Sequence, residues 1–293
     1  MLRRPAVAGS WYPDDPSLLG RQVDRSLAAA PVAVGPDDRV VGLLGPHAGI
    51  VYSGAVAAAA YAAVRGRAFD LVVLVGPSHY VGFDGVAVWP GGAFETPLGR
   101  IPVPEEEVAR LVSASPIIVP RTDAHAREHS LEMHLPFLQR ALPGTPLVPL
   151  VMGEQTRETI LALAEALAAV YRGRRVLVAA STDLSHFFDA ATAARLDGRV
   201  ARLVAALDDE GLLAELERYP MYERGRFVMC GGGPAVSVMR AARLLGSDQA
   251  RVLAQAHSGD VSGDSSQVVG YLAAAFGRFG PTPPGARGPA GPH

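Results

Sequence analysis

Eight histidines, one cysteine and a scatter of carboxylates carry most of the chemistry open to this chain. Four of the histidines follow closely on short apolar runs. Val40 to Leu44 leads into Gly45-Pro46-His47-Ala48-Gly49, and Leu71 to Val75 into Gly76-Pro77-Ser78-His79. Val176 to Ala180 leads into Ser181-Thr182-Asp183-Leu184-Ser185-His186, and Val252 to Ala256 into His257-Ser258-Gly259-Asp260. If those runs are parallel strands, the four imidazoles line one edge of a sheet, and open α/β sheets bind ligands beyond their strand ends. A single loop histidine is more often structural than functional; repetition in one topological position shifts the balance for His47 and His79.

Neutral imidazole is the commonest transition-metal ligand, so two on adjacent loops suit one ion. A third ligand is then required, and Cys230, Glu132, Asp183 and His134 are the candidates. Cys230 stands directly before Gly231-Gly232-Gly233-Pro234, at an expected helix start, where free amides and the helix dipole favour thiolate. A small buried hydrophobe is its equally weighted alternative. The segment Glu128-His129-Ser130-Leu131-Glu132-Met133-His134 is dense in donors. Its two histidines are five apart rather than four, so they do not share one helix face as in zinc proteases. It reads equally well as a polar helix start. Asp183 and His186 fit a base with its orienting partner. Ser53 and Ser78 lack a nucleophile-elbow pattern, and the glycines at 231 to 233 lack a dinucleotide fingerprint.

The elements that must position these residues alternate in type. Strands are expected over Val40–Leu44, Leu71–Val75, Val86–Trp89, Leu147–Val151, Val176–Ala180, Val252–Ala256 and Gln267–Ala273. Helices are expected over Gly54–Val64, Glu105–Val112, Leu131–Leu142, Arg157–Tyr171, Ala191–Leu207, Leu212–Tyr219 and Pro234–Leu245. Continuous apolar strands separated by helices indicate an α/β fold with a sheet covered on both faces. One domain over residues 1–280 is the simplest division, with a disordered Pro/Gly-rich tail over 281–293.

Composition narrows the functional classes. At 293 residues and 49% hydrophobic, the chain can bury a large core. A net charge of -2 gives no general attraction to nucleic acid or anionic membrane. The chain has no lysine, which excludes Schiff-base chemistry and a Walker loop. A lone cysteine cannot form a disulfide within the chain, and no run approaches the roughly 18 apolar residues of a membrane span. The early Arg3-Arg4-Pro5 and Trp11-Tyr12-Pro13 are unlike a secretory signal, so a cytoplasmic location is expected.

Taken in order, several blocks resemble the Memo family, whose bacterial and archaeal members are called AmmeMemoRadiSam system protein B. They are Arg4-Pro5-Ala6-Val7-Ala8-Gly9-Ser10-Trp11-Tyr12-Pro13, Pro46-His47-Ala48-Gly49, Gly76-Pro77-Ser78-His79, Glu128 to Pro136, Ser181 to His186, and Cys230-Gly231. The similarity extends to about Phe276. It implies a fold shared with class III extradiol dioxygenases of the LigB type, a mixed, largely parallel sheet with helices on both faces. It also implies His47, His79 and Cys230 as ligands of Fe(2+), with copper or zinc as alternatives. The resemblance makes His186 an acid/base group with Asp183 beside it. Ser78, His129, Glu132, His134 and His257 are further pocket candidates. The dioxygenases carry a carboxylate where this chain has Cys230. A thiolate softens the site towards copper(I) or zinc and is open to oxidation, so ring cleavage is not carried over. The resemblance leaves two expectations: a metal-dependent redox enzyme acting on a small molecule, or a peptide-binding or accessory protein. The accessory partners would be AmmeMemoRadiSam system protein A and a radical SAM protein.

Overall fold

The computed structural model describes residues 1–31 and 33–280. The expected tail over 281–293 lies outside the described residues.

The chain opens with β1 (Leu2–Arg3) and α1 (Pro16–Ala29). Pro16 occupies the first turn of α1, where its missing N–H costs nothing, and the Asp15 carboxylate caps the amide of Leu18 at 2.7 Å. Next come β2 (Arg39–Gly45), α2 (Ile50–Ala62), β3 (Leu71–Pro77) and β4 (Val86–Val88). A hairpin of β5 (Gly92–Thr96) and β6 (Gly99–Val103) precedes α3 (Glu105–Ala114), β7 (Ile118–Pro120) and the short α4 (Asp123–Ala126). A 3-10 turn (Glu132–His134) runs into α5 (Leu135–Ala141), followed by β8 (Leu147–Met152) and α6 (Arg157–Tyr171). The remainder is β9 (Val176–Ser181), β10 (His186–Phe188), α7 (Ala190–Ala205), α8 (Asp209–Glu217), α9 (Met221–Phe227), α10 (Gly232–Leu244), β11 (Gln249–His257), α11 (Gly259–Ser262) and β12 (Val268–Arg278).

The main sheet is ordered β10-β12-β2-β9-β3-β8-β4-β7, with β11 also paired to β12. Its centre, β2, β9, β3 and β8, is parallel throughout. β12 joins β2 antiparallel on one side, and β4 joins β8 antiparallel on the other. A smaller sheet of order β1-β5-β6 stands apart. The strands at the centre are buried along almost their whole length, as expected where helices cover both faces. α2 packs on β2, β11 and β12, while α10 packs on β9, β2 and β3 beside α6. The alanines of α2 permit a close approach: a Cβ added to Gly45 would sit 3.6 Å from that of Ala60.

The expected α/β architecture is therefore present, a mixed sheet with a parallel core. Every strand and helix read from the apolar pattern exists, with shifted ends; α2, for example, starts at Ile50 and stops at Ala62. The structure adds β1, α1, the β5–β6 hairpin, β7, α4, β10, α9 and α11. β5, β6 and β10 escaped because partly exposed short strands lack a continuous apolar run. None of the described helices is long and apolar enough to cross a membrane.

Candidate metal centre

Because β2, β3 and β9 are parallel, the loops that follow them meet at one edge of the sheet. His47 and His79 leave β2 and β3 there, and Cys230 arrives from the opposite direction just ahead of α10. One nitrogen from each histidine and the Cys230 sulfur lie within 4.8 Å of one another.

Glycines set this convergence. A Cβ on Gly231 would stand 2.3 Å from the Ser181 carbonyl, so only glycine lets the chain run so close to β9. Two hydrogen bonds hold it there, from the Gly231 amide to Thr182 Oγ1 at 2.9 Å and from the Cys230 amide to the Asp183 carbonyl at 3.2 Å. Gly76 plays the same part on β3. A Cβ there would meet Ser130 Oγ at 2.6 Å, and its absence lets the 128–131 segment reach the end of the strand.

The second nitrogen of each ring is anchored. Ser181 Oγ donates its only hydrogen to the Ser130 carbonyl at 2.6 Å, so the 2.7 Å bond to His47 Nδ1 must be donated by the ring. His47 is therefore protonated at Nδ1, and its Nε2 lone pair faces the Cys230 sulfur at 3.3 Å. His79 Nδ1 meets Glu128 Oε1 at 2.8 Å while the His79 amide donates to Oε2 at 2.6 Å, which turns its Nε2 towards the same sulfur. The sulfur also accepts from the Asp183 amide at 3.3 Å.

The electrostatics divide the cluster. Burial holds His47 well below the usual imidazole range, helped by His79 and His129. Burial also pushes His79 down, but its hydrogen bonds to Cys230 and Glu128 carry it up to about 10. Burial would raise Glu128, yet the His79 contacts and backbone amides bring it to about 2. The result is a fixed anion behind His79, orienting the ring as a ligand's outer partner does.

Each sequence candidate has a definite place. His186 is near enough to act on the charges of His47 and His79, and its Nδ1 hydrogen-bonds the Gly225 carbonyl at 2.9 Å. Asp183 is not its orienting partner, contrary to expectation. The carboxylate accepts from the His47 amide at 2.8 Å, and burial raises it to about 7. It thus braces the His47 loop. His129 stacks on His79 (centroids 4.4 Å apart) and packs at a 50° tilt against Trp11 (4.3 Å), with Tyr80 Oη 3.1 Å from its Nδ1. His79, Glu128 and His129 form a second close donor group. Glu128 is already engaged by the His79 ring and by the amides of His79 and Ser130, so this group supports the first one.

The other candidates are structural. Ser78 Oγ closes a turn onto the Val81 carbonyl at 2.7 Å. Glu132, wholly buried, gathers Arg3, the amides of Ala6 and Val7, and the Tyr12 hydroxyl, and so clamps the segment that carries Trp11. His134 lies in the core with its Nδ1 3.1 Å from Tyr61 Oη. His257 ends β11, beyond β12, where its Nε2 is 3.5 Å from Asp260; it does not reach the cluster. The expectation of four imidazoles in a row fails there because β12 intervenes between β11 and β2. Sequence reasoning overlooked Glu128 and Ser181 as orienting groups, although both lie inside the quoted blocks. Their roles depend on the approach at Gly76 and on the β2–β9 register, which no spacing reveals.

An α/β scaffold whose parallel strands deliver two histidines against a cysteine is a candidate metal-binding protein. The family model described as Memo-like protein matches residues 3–275. A MEMO1 family protein of Methanothermobacter thermautotrophicus is 38% identical over 279 residues, covering 92% of this chain and 99% of that protein. One from Methanobrevibacter smithii is 37% identical over 288 residues, covering 94% and 100%. The chain belongs to the Memo-like family. Among solved structures, an uncharacterized protein JW3007 from Escherichia coli K12 aligns at 13% identity and a TM-score of 0.44, over 80% of this chain and 99% of that one.

Proposed function

We propose that this Memo-like protein binds a single iron or copper ion through His47 Nε2, His79 Nε2 and Cys230 Sγ, and acts as a metal-dependent redox enzyme on a small molecule. The observation that carries the reading is the pair of anchored rings. Ser181 and Glu128 each occupy an Nδ1, which leaves both Nε2 atoms facing one sulfur, His47 with a lone pair and His79 with a proton that a bound metal would displace. Three converging donors of this kind fit a soft to borderline metal, with copper(I) and zinc favoured by the thiolate and iron(II) by the open remaining positions. The metal, when bound, supplies Lewis acidity and one-electron chemistry.

The chain's own residues handle the rest. His186 keeps Nδ1 on the Gly225 carbonyl, leaving Nε2 as its proton-exchanging atom. Asp183 and Ser181 hold the His47 loop in register. The exposed rings of Tyr80 and Phe187 each follow a site histidine, His79 and His186, and offer apolar surface to an incoming aromatic or hydroxylated compound.

Metal content after anaerobic purification tests the reading, with His47→Ala and Cys230→Ala beside the native chain. One equivalent of iron or copper, lost from both variants, is expected. A native protein that is metal-free and takes up neither ion would end the proposal and leave the cleft as a binding surface. Oxygen-dependent turnover lost in His186→Ala would then separate an enzyme from an accessory partner of AmmeMemoRadiSam system protein A and a radical SAM protein.

A further inference from the structure

At the opposite edge of the sheet, where β2 and β9 begin, a cavity of about 210 Å³ opens. β2 is seven residues long, so this cavity lies roughly 20 Å from the histidine–cysteine cluster. Its wall contains Arg39, Arg67, Arg174 and Arg175 against a single carboxylate, Asp38. The chain as a whole carries a net charge of -2, so this concentration of cations is local.

The cations differ in how they are balanced. Arg174 is held by both oxygens of Glu107, and Arg175 by Asp70. Asp38 is committed to the amides of Gly35 and Gly280 and to Arg251. Arg39 and Arg67 have no carboxylate ion pair among the described residues. Arg67 is partly buried and donates only to carbonyls, those of Gly35, Pro36, Asp38 and Ala63, which solvate its charge without neutralising it. Burial accordingly pushes its guanidinium pKa down, with Asp38 acting the other way.

A second, independent feature concerns strand register. Arg39 and Arg278 are direct partners across the antiparallel β2–β12 pair. Like charges placed opposite each other in a sheet are destabilising. Both guanidiniums also lean to the same spot: Arg39 Nη1 and Arg278 Nη2 lie 3.7 and 3.8 Å from where a Gly246 Cβ would be. Arg278 lies outside the cavity wall and has a distant carboxylate, Asp248 Oδ2 at 3.9 Å from its Nε, so it presses on Arg39 without sharing a counter-ion with it. The fold thus leaves two cations, Arg39 and Arg67, without a carboxylate ion pair among the described residues at a cavity that admits small solutes. In volume the cavity matches on the order of seven waters. That is room for a phosphoryl group and a short stem.

We propose that this cavity binds a phosphoryl group, carried by inorganic phosphate or by a small phosphate monoester. Guanidinium forks match the oxygens of a tetrahedral oxyanion in pairs, and such charge-assisted bonds are stronger than neutral ones. The ligand supplies the negative charge that Arg39 and Arg67 lack, and relieves the Arg39–Arg278 pairing.

Isothermal titration calorimetry on the full chain at low ionic strength, with inorganic phosphate and with glycerol 3-phosphate, tests this. One saturable site is expected, weakened about tenfold or more by Arg39→Glu, in line with loss of a charge-assisted pair. Arg39 is exposed, and circular dichroism checks that the variant keeps its fold. Arg21→Glu makes the same charge change at an exposed position of α1 and should bind like the native chain. Tighter binding of the monoester supports a ligand with an organic stem, and equal binding supports phosphate itself. Three results overturn the proposal: no saturable heat with either probe, equal weakening in both variants, or equal displacement by chloride, which would mark an adventitious ion only. A single-stranded oligonucleotide that binds more tightly than both probes, and is weakened in both variants, would replace it with a nucleic-acid surface.

Discussion

The histidine–cysteine cluster depends on two side chains that are not among its three donors. Glu128 and Ser181 anchor Nδ1 of His79 and of His47, each through a ring–acceptor contact of 2.8 Å or less, and so turn both Nε2 atoms towards Cys230. Outer partners of this sort are worth 10–100-fold in metal affinity. Glu128→Gln keeps an acceptor oxygen but gives up the charge and allows the amide to rotate. Its metal dissociation constant, measured by chelator competition, is expected to rise by about tenfold or more while the circular dichroism stays native. An unchanged constant would show that His79 is oriented by its neighbours' packing alone. His47, His79 and Cys230 were legible in the sequence because two of them directly follow apolar strand runs and the third precedes glycines. The orienting pair was not. Ser181 reads as the last residue of a strand and Glu128 as a helix-start acid until the backbone approach at Gly76 is known.

Elements were legible in proportion to their burial. β2, β3, β8 and β9 announced themselves as apolar runs because both their faces are covered. The β5–β6 hairpin and α9 pack one-sidedly and left weaker patterns. Two connections between elements make sharp predictions. The Glu132 carboxylate, wholly buried, joins the 3-10 turn to the N-terminal segment through Arg3, Tyr12 and the amides of Ala6 and Val7. Glu132→Ala leaves Arg3 buried without its counter-ion, a change that costs about 3–5 kcal/mol when one member of such a pair is removed. Urea unfolding measures the loss, and tryptophan fluorescence should report release of Trp11 from His129. A loss below about 1 kcal/mol would mean the segment is held by packing rather than by the ion pair. The second connection is the approach of α10 to β9. Gly231→Ala puts a methyl 2.3 Å from the Ser181 carbonyl. It should shift Cys230 away from His47, cost about 1–3 kcal/mol as overpacking does, and lower metal occupancy. A variant with native stability and full occupancy would disprove the close-approach account of Gly231.

For the whole molecule, the buried histidines set an acid limit on stability. Burial pushes His125 and His134 down to about 3, holds His47 well below its usual range, and with His79 takes His129 to about 4. The unfolded chain protonates each near pH 6.5. Between that value and the folded pKa the unfolded state binds the proton and the native state does not, so acidification favours unfolding. Two carboxyls act the other way. Burial raises Asp183 to about 7 and Asp197 to about 6, so the native state retains protons there that the unfolded chain releases above about pH 4. Burial lowers His186 as well. Five lowered histidines outweigh two raised aspartates, and the metal-free protein should lose stability steadily from pH 6.5 towards 4.5. His125 isolates the effect because it sits away from the cluster, packed by Trp89 and Phe94 with its Nε2 3.2 Å from the Ala87 carbonyl. Replacing it by glutamine removes one titrating group from the core. A group protonated in one state only contributes about 1.4 kcal/mol per pH unit. His125→Gln should therefore be less stable than the native chain at pH 7, through lost packing, yet flatten the slope of unfolding free energy against pH by about that amount between pH 6 and 4. Urea titrations at half-unit steps, with metal removed by chelation, read both quantities. Parallel curves for the two proteins would mean that His125 takes up its proton in the folded state, and that the acid limit lies with His134 and the histidines of the cluster.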